Sequence, residues 1–412
     1  MQNWGGNVDY GDRRILAPKT LEGLAEAIQE NQVRPIGTMH SFSDVALGDG
    51  LLLSAAGLPF EPELNFADSS VTVSASTRFG ELALFLEENG LALKNMGSLP
   101  HISLAGAYAT GTHGSGDTNQ MLSSSLKAFS FIDAKGELIH YGIGDENFDA
   151  CRLGLGSYGL WVSVTLHVVP TYQIRQDVYR QIPWESFYED PKLGTSAGYS
   201  VSLFTKWGGA KIDQLWAKSM IGDLQPPATL YGQSAEGNSL VELAPGVGAN
   251  LTQQGGVPGP WLDRLPHFRL DATPSAGNEI QTEYFLNRDA AIEAMREINK
   301  ISSLINPTLV ISEIRTIAQD SAWLSPMKQE DKIALHFTWK NERQSVSKAV
   351  DLVERALAPF APIPHWGKVH HFDERRLALR HEKLSEARAT FDSLDPAGKF
   401  SSEYLRILGV RS

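Results

Sequence analysis

Val33-Arg34-Pro35-Ile36-Gly37 runs straight into Thr38-Met39-His40-Ser41-Phe42, and the reading of the whole chain turns on this stretch. An apolar strand ending in a tight turn fixes the His40 imidazole beside the strand end, where Gly37, Thr38, Met39 and Ser41 surround it, and a histidine so placed can hold a cofactor. A second segment, Ser98-Leu-Pro-His-Ile-Ser103, continues as Leu104-Ala-Gly-Ala-Tyr-Ala-Thr-Gly-Thr-His-Gly-Ser-Gly116. Glycines such as Gly106 and Gly111 let the main chain approach a ligand closely, and the hydroxyls of Ser103, Thr110, Thr112 and Ser115 add donors for phosphate oxygens. His113 reads as a phosphate or backbone contact rather than a metal ligand. Taken singly, each segment reads better as a tight turn with small-residue packing between sheets. Together they favour a bound dinucleotide.

Around this pair the first third of the chain alternates short strands and helices. Arg14–Ala17 is extended. Thr20 is placed as N-cap of a helix to Glu30, with Leu21, Leu24, Ala25 and Ile28 on one face. Val33–Ile36 and Ser70–Ser74 read as strands. Phe79–Asn89 is an amphipathic helix burying Phe79, Leu82, Phe85 and Leu86 before the stop at Gly90. Ala128–Asp133 and Glu137–Gly142 flank a hairpin turn, and Leu160–Val169 alternates as a strand. Gly154-Leu-Gly-Ser-Tyr-Gly159 matches the glycine pattern of dinucleotide-binding βαβ units. That pattern needs a helix opening at its third glycine, and the β-branched run that follows predicts a turn into a strand instead.

From about Gly208 to Asn278 the chain is rich in Gly and Pro, long for a loop without function, and reads as wrapping a surface or covering a site. After it come a strand Gln281–Leu286, a helix Asp289–Leu304, strands Thr308–Ile317 and Lys332–Lys340, a helix Ser345–Leu357 and a last strand near Lys368. That order predicts an antiparallel sheet backed by helices.

Composition bounds the function. The 36 Lys+Arg against 48 Asp+Glu give a net charge of −12, which repels polyanions and argues against nucleic-acid binding. A single cysteine, Cys151, excludes an intrachain disulfide framework and a multi-thiolate metal site. His365, His370 and His371 cluster without nearby carboxylates or thiols, a weak metal case, so no metal is expected. The opening residues lack the basic and apolar regions of a secretory signal, and no apolar run is long enough to cross a bilayer. A cytoplasmic protein, without a membrane partner and monomeric, is the expectation.

Residues two apart on a strand share a face. Glu313 and Arg315 share one face of Thr308–Ile317; His336 and Thr338 share one face of Lys332–Lys340, with Ile333, Leu335, Phe337 and Trp339 on the other; Lys368 arrives on a third extended segment. If these strands are neighbours, a carboxylate, a guanidinium, an imidazole, a hydroxyl and an ammonium converge. A polyol, whose hydroxyls each donate and accept, needs such a mixture. A solvated face with an ordinary surface ion pair fits the spacing equally well.

The chain resembles the vanillyl-alcohol-oxidase type of flavoproteins, and within it is similar to the alditol oxidases, also called xylitol oxidases. The resemblance runs from Asn3-Trp4-Gly5-Gly6-Asn7 through the two segments above to Ser312-Glu-Ile-Arg-Thr316, Leu335-His-Phe-Thr-Trp339, Pro364-His-Trp-Gly-Lys368 and Leu394-Asp-Pro-Ala-Gly-Lys-Phe400. It implies an α+β chain: an FAD-binding domain over 1–174, a substrate-binding cap with an antiparallel sheet over 175–372, and a segment over 373–412 that returns to the first. It implies FAD joined covalently to His40 through the flavin 8α-methyl. Relatives often read Gly-Ser-Gly-His-Ser there, whereas this chain places Met39 before the histidine. It further implies that Ser98, Glu313, Arg315, His336, Thr338 and Lys368 line the pocket beneath the flavin. Ser98 would lie near both flavin and substrate. Arg315 and Lys368 would stabilise charge on the alcohol oxygen, and either His336 or Lys368 would take its proton. Glu313 and Thr338 would orient the hydroxyls. Gly97 would leave room for dioxygen, which makes an oxidase producing hydrogen peroxide the expectation. A flavoenzyme acting on a sugar lactone or other carbohydrate, and a colourless carbohydrate-binding protein on the same fold, are the competing readings.

Overall fold

Thr20 caps the Leu21–Glu30 helix: its Oγ1 accepts the Gly23 N–H at 3.1 Å, satisfying one of the donors a helix start leaves open. The buried face carries Leu24, Ala27 and Ile28, while Leu21, expected there, is exposed. The Phe79–Glu88 helix buries Phe79, Leu82 and Leu86 and ends before Gly90, whose φ of +70° only glycine adopts readily. Phe85 is half-buried, edge-on to Phe60. In this computed structural model the described residues are 1–223, 225–237, 242–243, 248–272 and 278–412. The remaining parts of the Gly/Pro-rich stretch lie outside them.

Two sheets organise the N-terminal part. Ile15–Leu16, Leu51–Leu53 and Val33–Pro35 form a parallel trio with Leu51–Leu53 central. Glu63–Asn65, Ser70–Ser74, Leu160–His167, Leu126–Ile132 and Leu138–Gly142 pair antiparallel in that spatial order. The hairpin closes with Ile132 opposite Leu138, as the turn residues predicted. Gly154–Gly159 is a turn into the Leu160 strand, and no helix opens there.

Arg34 locks these pieces together. It is 2% exposed, and its guanidinium donates to the carbonyls of Val45 (3.1 Å), Gly156 (2.8 Å) and Phe400 (3.0 Å) and to that of Leu155. Arg34→Met strands these buried acceptors, at about 1–3 kcal/mol for each that stays unpaired. We expect a fall in thermal midpoint of several degrees and weaker FAD retention, read by thermal denaturation with flavin fluorescence; an unchanged midpoint would refute it.

The second half is built on an eight-stranded sheet in the order Gly259–Pro260, Gln173–Pro183, Lys211–Met220, Ser200–Thr205, Leu309–Ile317, Lys332–Lys340, Glu279–Asn287, Ile363–Pro364, with every neighbouring pair antiparallel. One face is apolar. Ile314, Leu335, Phe337, Trp339 and Tyr284 are buried, and the Tyr284 hydroxyl donates to Glu354 on the Arg343–Leu357 helix at 3.1 Å, so the helices cover that side. The opposite face is polar and carries the site.

Three expectations are corrected. Lys211–Met220, inside the stretch read as Gly/Pro loop, is a ten-residue strand with Trp216 fully buried, because the glycines and prolines cluster outside it. The helix expected over Asp289–Leu304 is divided into a 3₁₀ turn, Ala291–Lys300 and Ser302–Ile305, broken at Ile301. Lys368 lies in a bend after Ile363–Pro364 rather than on a strand, its N–H donating to His365 O at 3.0 Å. The final segment packs back on the first half: Phe391 stacks on Tyr158 at 5.4 Å, and Lys399 Nζ donates to Ile28 O at 2.7 Å.

Candidate active site

The N-terminal motif explains the turn that bears His40. Trp4 N–H donates to Met39 O at 2.9 Å, Asn3 Nδ2 to Ser41 O at 2.8 Å and Asn7 Nδ2 to Phe42 O at 2.7 Å. These contacts occupy the carbonyls of Met39, Ser41 and Phe42, and none of the amides of residues 37–41 has a hydrogen-bond partner among the described residues. Met39 turns the chain at φ +56°, and such a run of free N–H groups forms an anion-binding nest. Holding a non-glycine residue there costs about 1–2 kcal/mol. Trp4 stacks on the His40 ring at 5.3 Å. Burial, helped by His101 and Lys368, pushes the His40 imidazole down to about 4, and its Nδ1 is buried without a partner. The ring is therefore neutral at ordinary pH and presents a free nitrogen.

The cavity behind this turn is lined by Gly37, Thr38, Met39, His40 and Ser41 on one side, and by Ser98, Ser103, Gly106, Thr110, Thr112 and His113 on another. Gly37 faces Ser103, where a Cβ would meet the Oγ at 2.6 Å, and that hydroxyl is itself buried and unpartnered. An extended ligand with polar oxygens fits this cradle. Gly111 is the exception among the expected contacts: at φ +76° it turns against Met121 and Leu153 behind the wall. A Cβ at Gly97 would fit in ordinary contact with Thr112 Cγ2 at 3.5 Å, His113 O at 3.7 Å and Leu122 Cδ1 at 3.8 Å, and Gly97 itself does not line the cavity.

The polar sheet face closes the cavity. Glu313 stands opposite His336, and His336 opposite Glu283, in one row across three strands; Thr338 stands opposite Gln281 in the next. Arg315 Nη2 donates to Glu283 Oε1 at 2.5 Å, and its Nε lies 3.7 Å from Glu313 Oε2 with no hydrogen-bond partner. Burial opposes ionisation of both carboxyls, but Arg315 outweighs it, with His267 beside Glu313 and His113 beside Glu283, and holds both below the carboxylate range. Burial likewise opposes the Arg315 charge, and the two carboxylates more than offset it.

Gln281 links the remaining pair. Its Nε2 donates to Glu279 at 2.5 Å, which fixes the amide so that Oε1 accepts from His336 Nε2 at 3.1 Å and from Lys368 Nζ. Lys368 also lies over the Phe42 ring at 4.9 Å, and Phe42 N–H donates to Gly367 O at 2.8 Å, so the His40 turn and the Lys368 bend are tied together. Burial pushes Lys368 down to about 8 and His336 down to about 3.

The fold thus brings His40, Ser98, Glu313, Arg315, His336, Thr338 and Lys368 to one cavity. Sequence reading missed Glu283 and Gln281, although the two alternate within the strand expected over Gln281–Leu286; the structure starts that strand at Glu279, which extends the same polar face. It also missed His267, which lies in an irregular segment with no periodicity to reveal it. His365, His370 and His371 do not converge: His365 is buried beside His113, whereas His371 sits at the surface on Asp351. Among the described residues, His113, Glu283 and His365 have ligand atoms within 4.8 Å of one another, but Arg315 already occupies the Glu283 oxygen that faces His113.

Residues 13–142 match a family model described as an FAD binding domain, and residues 276–408 one described as D-arabinono-1,4-lactone oxidase. The chain is 38% identical over 411 residues to an alditol oxidase from Streptomyces sp. strain IKD472, covering 98% of each. It is 27% identical to L-gulono-1,4-lactone dehydrogenase of Mycobacterium tuberculosis, over 99% of this chain and 98% of that one. The structure of cholesterol oxidase from Brevibacterium sterolicum shares the fold, with a TM-score of 0.79 at 14% identity over 99% of this chain and 96% of the other.

Proposed function

The chain belongs to the alditol oxidases of the vanillyl-alcohol-oxidase flavoprotein family, and from that premise we propose how the cavity converts the terminal primary alcohol of an alditol, of the xylitol and sorbitol class, to the aldose. When bound, FAD would supply the hydride acceptor for the alcohol carbon, with dioxygen as the final oxidant and hydrogen peroxide as its product. The free amides of residues 37–41 and the Ser103 and Thr112 hydroxyls would hold its phosphates, with Gly106 giving close approach and Thr110, whose hydroxyl donates to Gly106 O at 2.9 Å, fixing that turn. His40 Nδ1 would be its covalent attachment point. Residues 1–174 form the FAD-binding part, 175–372 the cap and 373–412 the returning segment. We read the protein as a cytoplasmic monomer; among the described residues no helix is long and apolar enough to cross a membrane.

One observation carries the substrate assignment: Arg315, with a buried unpartnered Nε, stands between two carboxylates on the face that Lys368 and His336 share. Arg315 stabilises charge on the reacting oxygen. Glu313, Thr338 and Ser98 bind the remaining hydroxyls. Lys368 takes the alcohol proton, because His336 Nε2 already carries a hydrogen toward Gln281 whereas an amine near 8 is partly free to accept one. For a base, the active form is the neutral one. The value of kcat/KM is expected to rise about ten-fold per pH unit below 8 and level off above it, and Lys368→Met to abolish that limb; a rate that falls above pH 8 would show a fixed cation instead.

Glu313→Ala tests the site itself. Losing a hydrogen bond to a charged acceptor costs about 1.5–3 kcal/mol, so KM for xylitol should rise about ten- to a hundred-fold. Wild-type KM would overturn the assignment. A panel of alditols against sugar lactones separates this reading from a lactone oxidase.

A further inference from the structure

A buried lysine stands outside the chemistry described so far. Lys218, on the Lys211–Met220 strand, is 1% exposed. Its ammonium meets three acceptors: Leu265 O at 2.6 Å, Pro266 O at 2.9 Å and His267 Nδ1 at 3.1 Å. An ammonium only donates. His267 Nδ1 must then keep its lone pair, and the ring hydrogen sits on Nε2, where it donates to Glu313 Oε1 at 2.8 Å; this proton position is inferred from the surrounding donors and acceptors. The segment bearing His267 is anchored at its other side too, since the N–H groups of His267 and Phe268 both donate to Ser98 O, at 3.1 and 3.2 Å. His267 itself lines the cavity.

Resting on the reading of this face as the polyol site, we propose that His267 is a positioning residue, its tautomer fixed by Lys218, that orients Glu313 so that its remaining lone pairs face the substrate hydroxyls. Without the ammonium the ring is free to take the other tautomer. Its Nε2 lone pair would then face the carboxylate oxygen and repel it. Burial and the nearby Lys218 push His267 down to about 4, so the ring is neutral, as a one-way relay requires. Burial pushes Lys218 down to about 7, against the support of Glu313; the three acceptors around it, one for each proton, favour the ammonium. The same chain ties Ser98 and Glu313, two proposed contacts of the substrate, to one segment. A shift of His267 therefore moves both ends of the hydroxyl-binding row.

The test compares the FAD-loaded holoenzyme with His267→Ala, His267→Gln, Lys218→Met and Glu313→Gln on alditols of increasing chain length. KM and kcat are read separately, and alditol affinity by perturbation of the flavin absorbance. His267→Ala and Lys218→Met are expected to raise KM about ten-fold with kcat within about three-fold, because Arg315 and Lys368 stay in place. His267→Gln, whose amide N–H reaches the same carboxylate, should recover most of the loss. If Glu313→Gln raises KM while His267→Ala does not, the relay is overturned and the polyol site stands. If Glu313→Gln leaves KM unchanged, the polyol site itself fails. Should Lys218→Met not accumulate as holoenzyme, the His267 pair decides alone: a glutamine variant as impaired as the alanine one would overturn the relay.

Discussion

Arg315→Met is expected to lower kcat about 10²- to 10³-fold, the range found when one preorganised donor to developing oxyanion charge is removed. The guanidinium donates to Glu283 at 2.5 Å, and its Nε is buried without a hydrogen-bond partner, 3.7 Å from Glu313, so the charge is in place before substrate arrives. The same substitution leaves Glu283 and Glu313, both almost fully buried, without their shared cation, and breaking a buried pair costs about 3–5 kcal/mol. Activity therefore has to be expressed per flavin-loaded molecule. Arg315→Lys separates the two effects: a lysine restores a cation and much of the stability, but a point charge cannot reach both carboxylates and the substrate oxygen as a planar fork does. Recovery of stability without recovery of kcat is the expected pattern. A methionine variant with kcat within a few-fold of the parent would remove Arg315 from the chemistry.

His40→Ala is expected to abolish covalent flavin completely. After acid precipitation the parent pellet should stay yellow, while the variant should release its colour to the supernatant. The imidazole suits attachment because burial keeps it neutral, Trp4 stacks on its face and its Nδ1 has no partner in the protein. The alanine variant should still bind FAD reversibly, since the amides of residues 37–41 are held outward by contacts from Asn3, Trp4 and Asn7 that do not involve the imidazole. Colour retained in the variant's pellet would place the linkage elsewhere.

Local pattern carried much of this molecule. Thr20 and Gly90 mark the ends of helices because a hydroxyl cap and a left-handed stop are local requirements that tertiary contacts rarely override. Alternation put Glu313 with Arg315 and His336 with Thr338, since side chains on a strand change face at every residue. Where the pattern was diluted it failed. Lys211–Met220 was hidden by the glycines and prolines around it, and Lys368 was placed on a strand when it follows one.

The sequence by itself determined which residues share a face, where the turn bearing His40 lies, that a net charge of −12 is unsuited to polyanions, and which family the chain resembles. Only the tertiary structure decided that the faces meet. Strand order is set by which apolar surfaces bury one another, so that Glu283 came beside Arg315 and a bend, not a strand, brought Lys368 over Phe42. Those contacts join residues separated by tens to hundreds of positions, and no local periodicity encodes the Lys218–His267–Glu313 chain, because its middle member owes its place to three acceptors arranged around one buried ammonium.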